Sequence, residues 1–179
     1  MSSLVTKEAP DFTAEAVMQD NSIAELTLSS FRGKYVVLLF YPLDFTFVCS
    51  TDIIAFDREL AKFNERGAEV IGVSVDSQHS HYAWKNTPRD KGGIGQINYP
   101  LVSDLKKTIS RDYGVLVNDS VALRGLFLID KEGIVRHALV NDLSMGRSVD
   151  EALRTLDALQ YIEKQGEGCP ANWRAGDER

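Results

Sequence analysis

Cysteine is scarce in this chain, occurring only at Cys49 and Cys169, which are separated by most of its 179 residues. A secreted scaffold stapled by disulfides would be shorter and richer in cysteine, so the pair does not describe a cross-linked framework. No CxxC is present, which removes the signature of a thioredoxin-like disulfide reductase. Long apolar runs are also missing. The longest, Tyr35 to Tyr41, is of strand length, far below the roughly 20 residues a membrane helix needs. The opening MSSLVTKEAPDF has no apolar core behind a basic end, so no secretory signal is expected and the reading is cytoplasmic. Clustered positive charge is absent as well: net charge is −6 and the basic residues are scattered, which argues against nucleic acid and gives no membrane-binding patch. Metal spacing is thin, since His79-x-His81 has no further ligands nearby and reads as a polar helix start. The Gly92–Gly95 run lacks a following Lys-Ser/Thr and is not a phosphate loop.

What remains is an ordinary soluble composition, 44% hydrophobic and 26% charged, enough for about one domain with a core. No repeat, low-complexity tract or linker divides it. The continuously apolar YVVLLFY (35–41) predicts a strand buried on both faces. Residues 49–65 carry apolar side chains near helical spacing, stopped by Gly67. EVIGVSV (69–75) predicts a second strand, so the β–α–β order implies a parallel pair with a right-handed crossover. A short helix is expected over 79–86, a turn-rich loop over 87–100, and another short helix after Ser103. VALRGLFLID and GIVRHALV flank Lys131-Glu132-Gly133 as an antiparallel hairpin with a glycine at its bulged turn. Ser148-Val-Asp-Glu151 is a capping box opening a helix with one apolar face. This order predicts a thioredoxin-like α/β fold over residues 1–164, with Pro10 to Leu28 adding a small N-terminal β-hairpin. Residues 165–179 form a C-terminal tail with little periodic pattern, expected to be extended or mobile. A cysteine on such a tail can reach another site.

For two cysteines taken alone, buried structural thiols are the favoured reading. The surroundings of Cys49 overturn it. Pro42-Leu-Asp-Phe-Thr46-Phe-Val-Cys49 runs from the first core strand to the first long helix, the edge of an α/β sheet where sites form. In the first helical turn, free N–H groups and the macrodipole favour an anion, here a thiolate. Thr46 can place a hydroxyl beside the sulfur, and Pro42 closes one side without offering an N–H. Arg124 sits in an otherwise apolar strand, where a charge needs a strong reason. It is the candidate for holding the thiolate and the charge that develops on a leaving oxygen.

Pro42-xxx-Thr46-xx-Cys49 matches the PxxxTxxC signature of peroxiredoxins, and FYPLDFTFVC resembles the typical two-cysteine branch (alkyl hydroperoxide reductase C and thioredoxin peroxidase). The resemblance continues through APDF, GVSVDS, RGLFLID around Arg124, GRSVDEALR, and GCPANW around Cys169. It implies a thiol peroxidase acting on hydrogen peroxide and organic hydroperoxides without metal or haem. Cys49 would attack the peroxide and become a sulfenic acid. Cys169 of a second subunit would resolve it as a disulfide, and an external dithiol, thioredoxin or a flavoprotein, would reduce that bond. The family also implies a homodimer that often closes into a decamer, and it can carry redox-relay or holdase chaperone roles.

Two departures stand out. The family's Pro-Thr-Glu after the peroxidatic cysteine is Ser50-Thr51-Asp52 here. Asp52 would take the acidic part that pairs with Arg147, from a shorter side chain. Gly92-Gly-Ile-Gly95 resembles the GGLG of peroxide-sensitive members, but no Tyr-Phe helix comes after Cys169, which implies resistance to overoxidation.

Overall fold

The computed structural model describes residues 2–177. The chain falls into two compact units, one ending at Arg147 and the other beginning at Ser148. The first opens with strands β1 (Thr13–Val17) and β2 (Ile23–Thr27), followed by β3 (Tyr35–Phe40), helices α1 (Phe47–Arg58) and α2 (Leu60–Glu65), and β4 (Ala68–Ser74). It continues through α3 (Gln78–Lys85), β5 (Leu101–Ser103), α4 (Thr108–Asp112), the short pair β6 (Leu116–Val117) and β7 (Val121–Ala122), then β8 (Arg124–Ile129) and β9 (Val135–Asn141).

Seven strands form one sheet in the order β2-β1-β5-β4-β3-β8-β9. β3, β4 and β5 run parallel, as the β–α–β reading requires, and β8 returns antiparallel to β3. All six residues of β3 are buried, the outcome expected of a central strand covered on both faces. Phe40, Tyr113 and Phe127 interlock beneath it at centroid distances of 5.0–5.7 Å. Gly133 takes φ +87° in the β8–β9 turn, a left-handed conformation glycine enters without steric cost.

The structure departs from the sequence reading in three places. The expected 49–65 helix is two helices, broken at Glu59 (φ −105°, ψ 11°), with Phe56 stacked on Phe63 across the break at 5.8 Å. Leu101–Ser103, with no predicted element, is a fully buried strand. Through it the N-terminal hairpin extends the main sheet, Ala16 facing Val102 and Val17 facing Leu101.

The second unit contains α5 (Val149–Gln165) and the tail. Its capping box forms, with the Ser148 hydroxyl accepting from the Glu151 N–H at 3.2 Å. Gly166 ends the helix at φ +71°. The described part of the tail beyond α5, expected to be extended or mobile, has neither helix nor strand but is docked: Trp173 is buried and packs against Tyr161, ring centroids 4.8 Å apart and tilted.

Candidate active site

The turn between β3 and α1 builds the site. Phe45 adopts φ +58°, an unfavourable conformation for a bulky side chain, and this reverses the chain so that Thr46 becomes the N-cap of α1. The first α-helical bond runs from Ser50 N–H to the Thr46 carbonyl. The amides of Phe47, Val48 and Cys49 therefore lie in the turn that lacks intrahelical acceptors, where an anion is favoured. Cys49 is a free thiol with no exposed surface. Pro42, at the end of β3, is buried. The Thr46 hydroxyl donates to the Leu43 carbonyl at 2.8 Å. It holds the turn in this state, and it is exposed to solvent.

Arg124 opens β8. Leu39 faces Leu126 in the sheet, so Arg124 lies two residues further along, at the end of β3 from which the Pro42–Cys49 turn departs. Its Nε donates to the Leu143 carbonyl at 2.8 Å, and its Nη1 reaches Asp52 at 3.4 Å. Asp52 lies three residues after Cys49 on α1 and shares its face. Arg124 is thereby aligned with the helix face that carries the thiol.

The pairing of Asp52 with Arg147, expected despite the shorter side chain, is made. Arg147 Nε and Nη2 donate to Asp52 Oδ2 at 3.0 and 2.8 Å, and the Arg147 backbone N–H donates to Oδ1 at 2.9 Å. The third guanidinium nitrogen, Nη1, donates to the Phe40 and Gly125 carbonyls at 2.7 and 2.6 Å. Burial pulls the Arg147 guanidinium below its ordinary value, against the pull of Asp52, yet a guanidinium stays charged at neutral pH. Two buried guanidinium groups share one carboxylate, so the cluster carries an excess positive charge on the face of α1 that bears Cys49. An anion there completes the balance.

A second network, missed from the sequence, anchors the turn. Asp44 accepts from the Tyr41 hydroxyl at 2.7 Å and the Ser80 hydroxyl at 2.8 Å, and its N–H donates to Asp76 at 2.9 Å. His81 Nδ1 lies 2.7 Å from Asp44 Oδ2, and Nε2 donates to the Val102 carbonyl at 2.9 Å. Asp44, Asp76 and His81 have the donor types and spacing of a metal site, but both ring nitrogens of His81 are taken up by these hydrogen bonds. The available signal was an aspartate inside an otherwise apolar turn.

Burial lowers the His81 pKa, but the Asp44 hydrogen bond and charge, the Val102 carbonyl and the Asp76 charge outweigh it, and the net shift is upward from 6.5. A folded-state value above the unfolded one stabilises the fold fully below 6.5 and loses that contribution as pH rises through the raised value. Urea melts of the wild type are expected to show stability falling on that alkaline side, and His81→Gln is expected to flatten the slope. An unchanged slope in the variant would assign the dependence elsewhere.

Beside the turn, Phe45, Thr46, Phe47 and Ile54 line a groove of about 450 Å³ closed by Arg58, Arg89 and the Gly92-Gly93 turn. In the second unit, the thiol of Cys169 is half-buried and lies 3.6 Å from the Ala158 carbonyl oxygen. Trp84 is buried between Tyr41 and Phe45 at 5.6 and 6.2 Å.

Comparison with known proteins adds to this geometry. Residues 5–138 match the model of the AhpC/TSA family, and residues 158–178 match the C-terminal domain of 1-Cys peroxiredoxin. Alkyl hydroperoxide reductase C of Helicobacter pylori is 58% identical over 177 residues, covering 98% of this chain and 89% of that protein. Peroxiredoxin-2 of Mus musculus is 57% identical, covering 97% and 88%. The reduced 2-Cys peroxiredoxin of Plasmodium vivax superposes with a TM-score of 0.97 at 58% identity, over 99% of this chain and 92% of that one.

Proposed function

Because the chain belongs to the AhpC/TSA family, as a two-cysteine peroxiredoxin with thiol-dependent peroxidase activity and a thioredoxin-like fold, we propose that Cys49 is its peroxidatic residue and Cys169 its resolving one. The observation that carries this is the excess positive charge of the Arg124–Asp52–Arg147 cluster on the face of α1 that bears Cys49, next to the open amides of the first turn.

In this reading the Cys49 thiolate attacks the terminal oxygen of a hydroperoxide. The O–O bond breaks, the sulfur is oxidised to sulfenic acid, and the departing alkoxide or hydroxide takes a proton. Arg124 stabilises the negative charge on the departing oxygen. The Thr46 hydroxyl exchanges its Leu43 acceptor for the incoming peroxide. Buried Pro42 keeps water from that side of the sulfur, while Asp52 and Arg147 fix the Arg124 guanidinium and the start of α1.

Cys169 of a partner subunit then displaces water from the sulfenic acid, forming an intersubunit disulfide that thioredoxin or a flavoprotein-type dithiol reductase reduces. Residues 1–164 act as the peroxidase domain and 165–179 as the tail that delivers Cys169. A homodimer is supported by the place of β9 at one edge of the sheet, a position from which a strand can add to another chain. Assembly to a decamer is supported by the apolar surface exposed at Phe45, Phe47 and Tyr82, with Phe47 83% exposed, the kind of surface that marks an interaction site where it is contiguous. With scattered charge and, among the described residues, no helix long and apolar enough to cross a membrane, the proposed setting is the cytoplasm.

One equivalent of hydrogen peroxide followed by non-reducing electrophoresis tests the intersubunit step. A dimer-sized band that dithiothreitol returns to monomer is expected, and it should be missing from Cys49→Ser and Cys169→Ser. Complete oxidation with only monomer-sized bands would refute the intersubunit disulfide.

A further inference from the structure

With Cys169 as the resolving thiol, a reading on which the inference rests, the way the tail is fastened in the second unit bears on the resolving step. Both cysteines are free, and a disulfide requires their sulfurs to come within about 2 Å. The Cys169 thiol instead lies against the Ala158 carbonyl of its own helix at 3.6 Å. The readiness with which the tail leaves α5 therefore governs how quickly Cys169 becomes available.

The tail is held at separate points rather than packed along its length. A hollow of about 360 Å³ lies beside it, lined by Leu153, Asp157, Arg174 and Ala175 among others. The thiol–carbonyl contact is weak, because sulfur is a poor donor. Trp173 packs against Tyr161 with the rings tilted, but its indole N–H is buried with no hydrogen-bond partner among the described residues, so its docking carries a desolvation cost. The firm fastening is Arg154. Its Nη1 donates to the Trp173 carbonyl at 2.9 Å, while Nε and Nη2 form a fork on the Glu151 carboxylate at 2.7 Å each. Such a two-point pair fixes the plane of the guanidinium and directs its remaining donor.

We propose that Arg154 is a positioning residue for the resolving step: held by Glu151, it clamps the Cys169 tail to α5 through the Trp173 carbonyl and sets the rate of its release. The step it gates is Cys49 sulfenic acid plus Cys169 thiol giving the Cys49–Cys169 disulfide and water, with no further reactant. A second peroxide competes for the same sulfenic acid and carries it to sulfinic acid. Arg154 thus also sets the peroxide level at which the enzyme is lost to overoxidation.

The test compares full-length wild type, Arg154→Met and Arg154→Lys, each pre-reduced and mixed rapidly with hydrogen peroxide. Peroxide consumption, disulfide formation after acid quench, and the sulfinic fraction at rising peroxide are measured separately. Arg154→Met is expected to consume peroxide within about twofold of the wild-type rate but to form the disulfide about tenfold faster, the size of effect one lost hydrogen bond to a charged group gives. Its sulfinic fraction should fall to match. Arg154→Lys should lie between, since one ammonium cannot clamp Glu151 and reach the Trp173 carbonyl in the same geometry. If Arg154→Met fails to fold, Arg154→Lys and Glu151→Gln, which loosens the fork, read the same release. Disulfide formation unchanged or slower in the folded variants would overturn the proposal. A wild type forming no disulfide through Cys169 would instead refute the resolving-cysteine reading.

Discussion

Cys49→Ser is expected to abolish the rapid reaction with hydrogen peroxide, on the order of 10⁶-fold, the scale of loss when an enzyme's nucleophile is removed. A serine hydroxyl does not ionise at the start of α1 at neutral pH, so neither the open amides nor the guanidinium cluster has an anion to act on. Size is nearly preserved, so the fold should survive. Stopped-flow consumption of peroxide checks this, alongside circular dichroism. Persistence of fast consumption would move the chemistry to another group, and Cys169 is the only other thiol in the chain.

Arg147→Met carries the largest expected cost in stability, about 3–5 kcal/mol, the range for breaking a buried charged pair from one side. The side chain is fully buried, as is Asp52, so solvent does not screen the loss. The substitution leaves Asp52 with the backbone N–H of residue 147 and with Arg124, at 3.4 Å, and removes the donor that Nη1 supplies to the Phe40 and Gly125 carbonyls. Because those carbonyls lie on β3 and β8, the damage reaches the central sheet. A fall of that size is a large share of a domain's usual stability of about 5–15 kcal/mol and is read from the urea midpoint. A loss below about 1 kcal/mol, the scale of an exposed ion pair, would show that the cluster is solvated in solution.

The parts of this fold legible in the sequence were those with long or doubly constrained patterns. β3 announced itself through seven consecutive apolar residues, and the β8–β9 turn through a glycine that the structure holds at φ +87°. α5 had both a capping box and one apolar face. β5 was not legible because three residues cannot display a period, and its identity comes only from pairing with β1 and β4. The break at Glu59 left no mark either, since Phe56 and Phe63 keep the apolar face continuous across it.

The site divides in the same way. Pro42, Thr46 and Cys49 are close in sequence and carry a recognisable pattern, and Arg124 stood out as a charge in a buried strand. The role of Arg147 was harder to read, because Asp52 is shorter than the family's glutamate. The backbone supplies what the side chain lacks, bringing the Arg147 N–H to 2.9 Å from Asp52. Of the Asp44–His81 tie, only the aspartate in an apolar turn left a mark. It joins residues 37 apart, and neither carries a local signal for the other.

The most direct measurement of the central claim uses Cys169→Ser, which stops the cycle after the first chemical step. The reduced variant is mixed with one equivalent of hydrogen peroxide, quenched with a sulfenic-acid trap, and mapped by mass spectrometry. One adduct is expected, on Cys49, formed as fast as wild type consumes peroxide. Reaction at the speed of an ordinary thiol, with Cys49 unmodified, would contradict it.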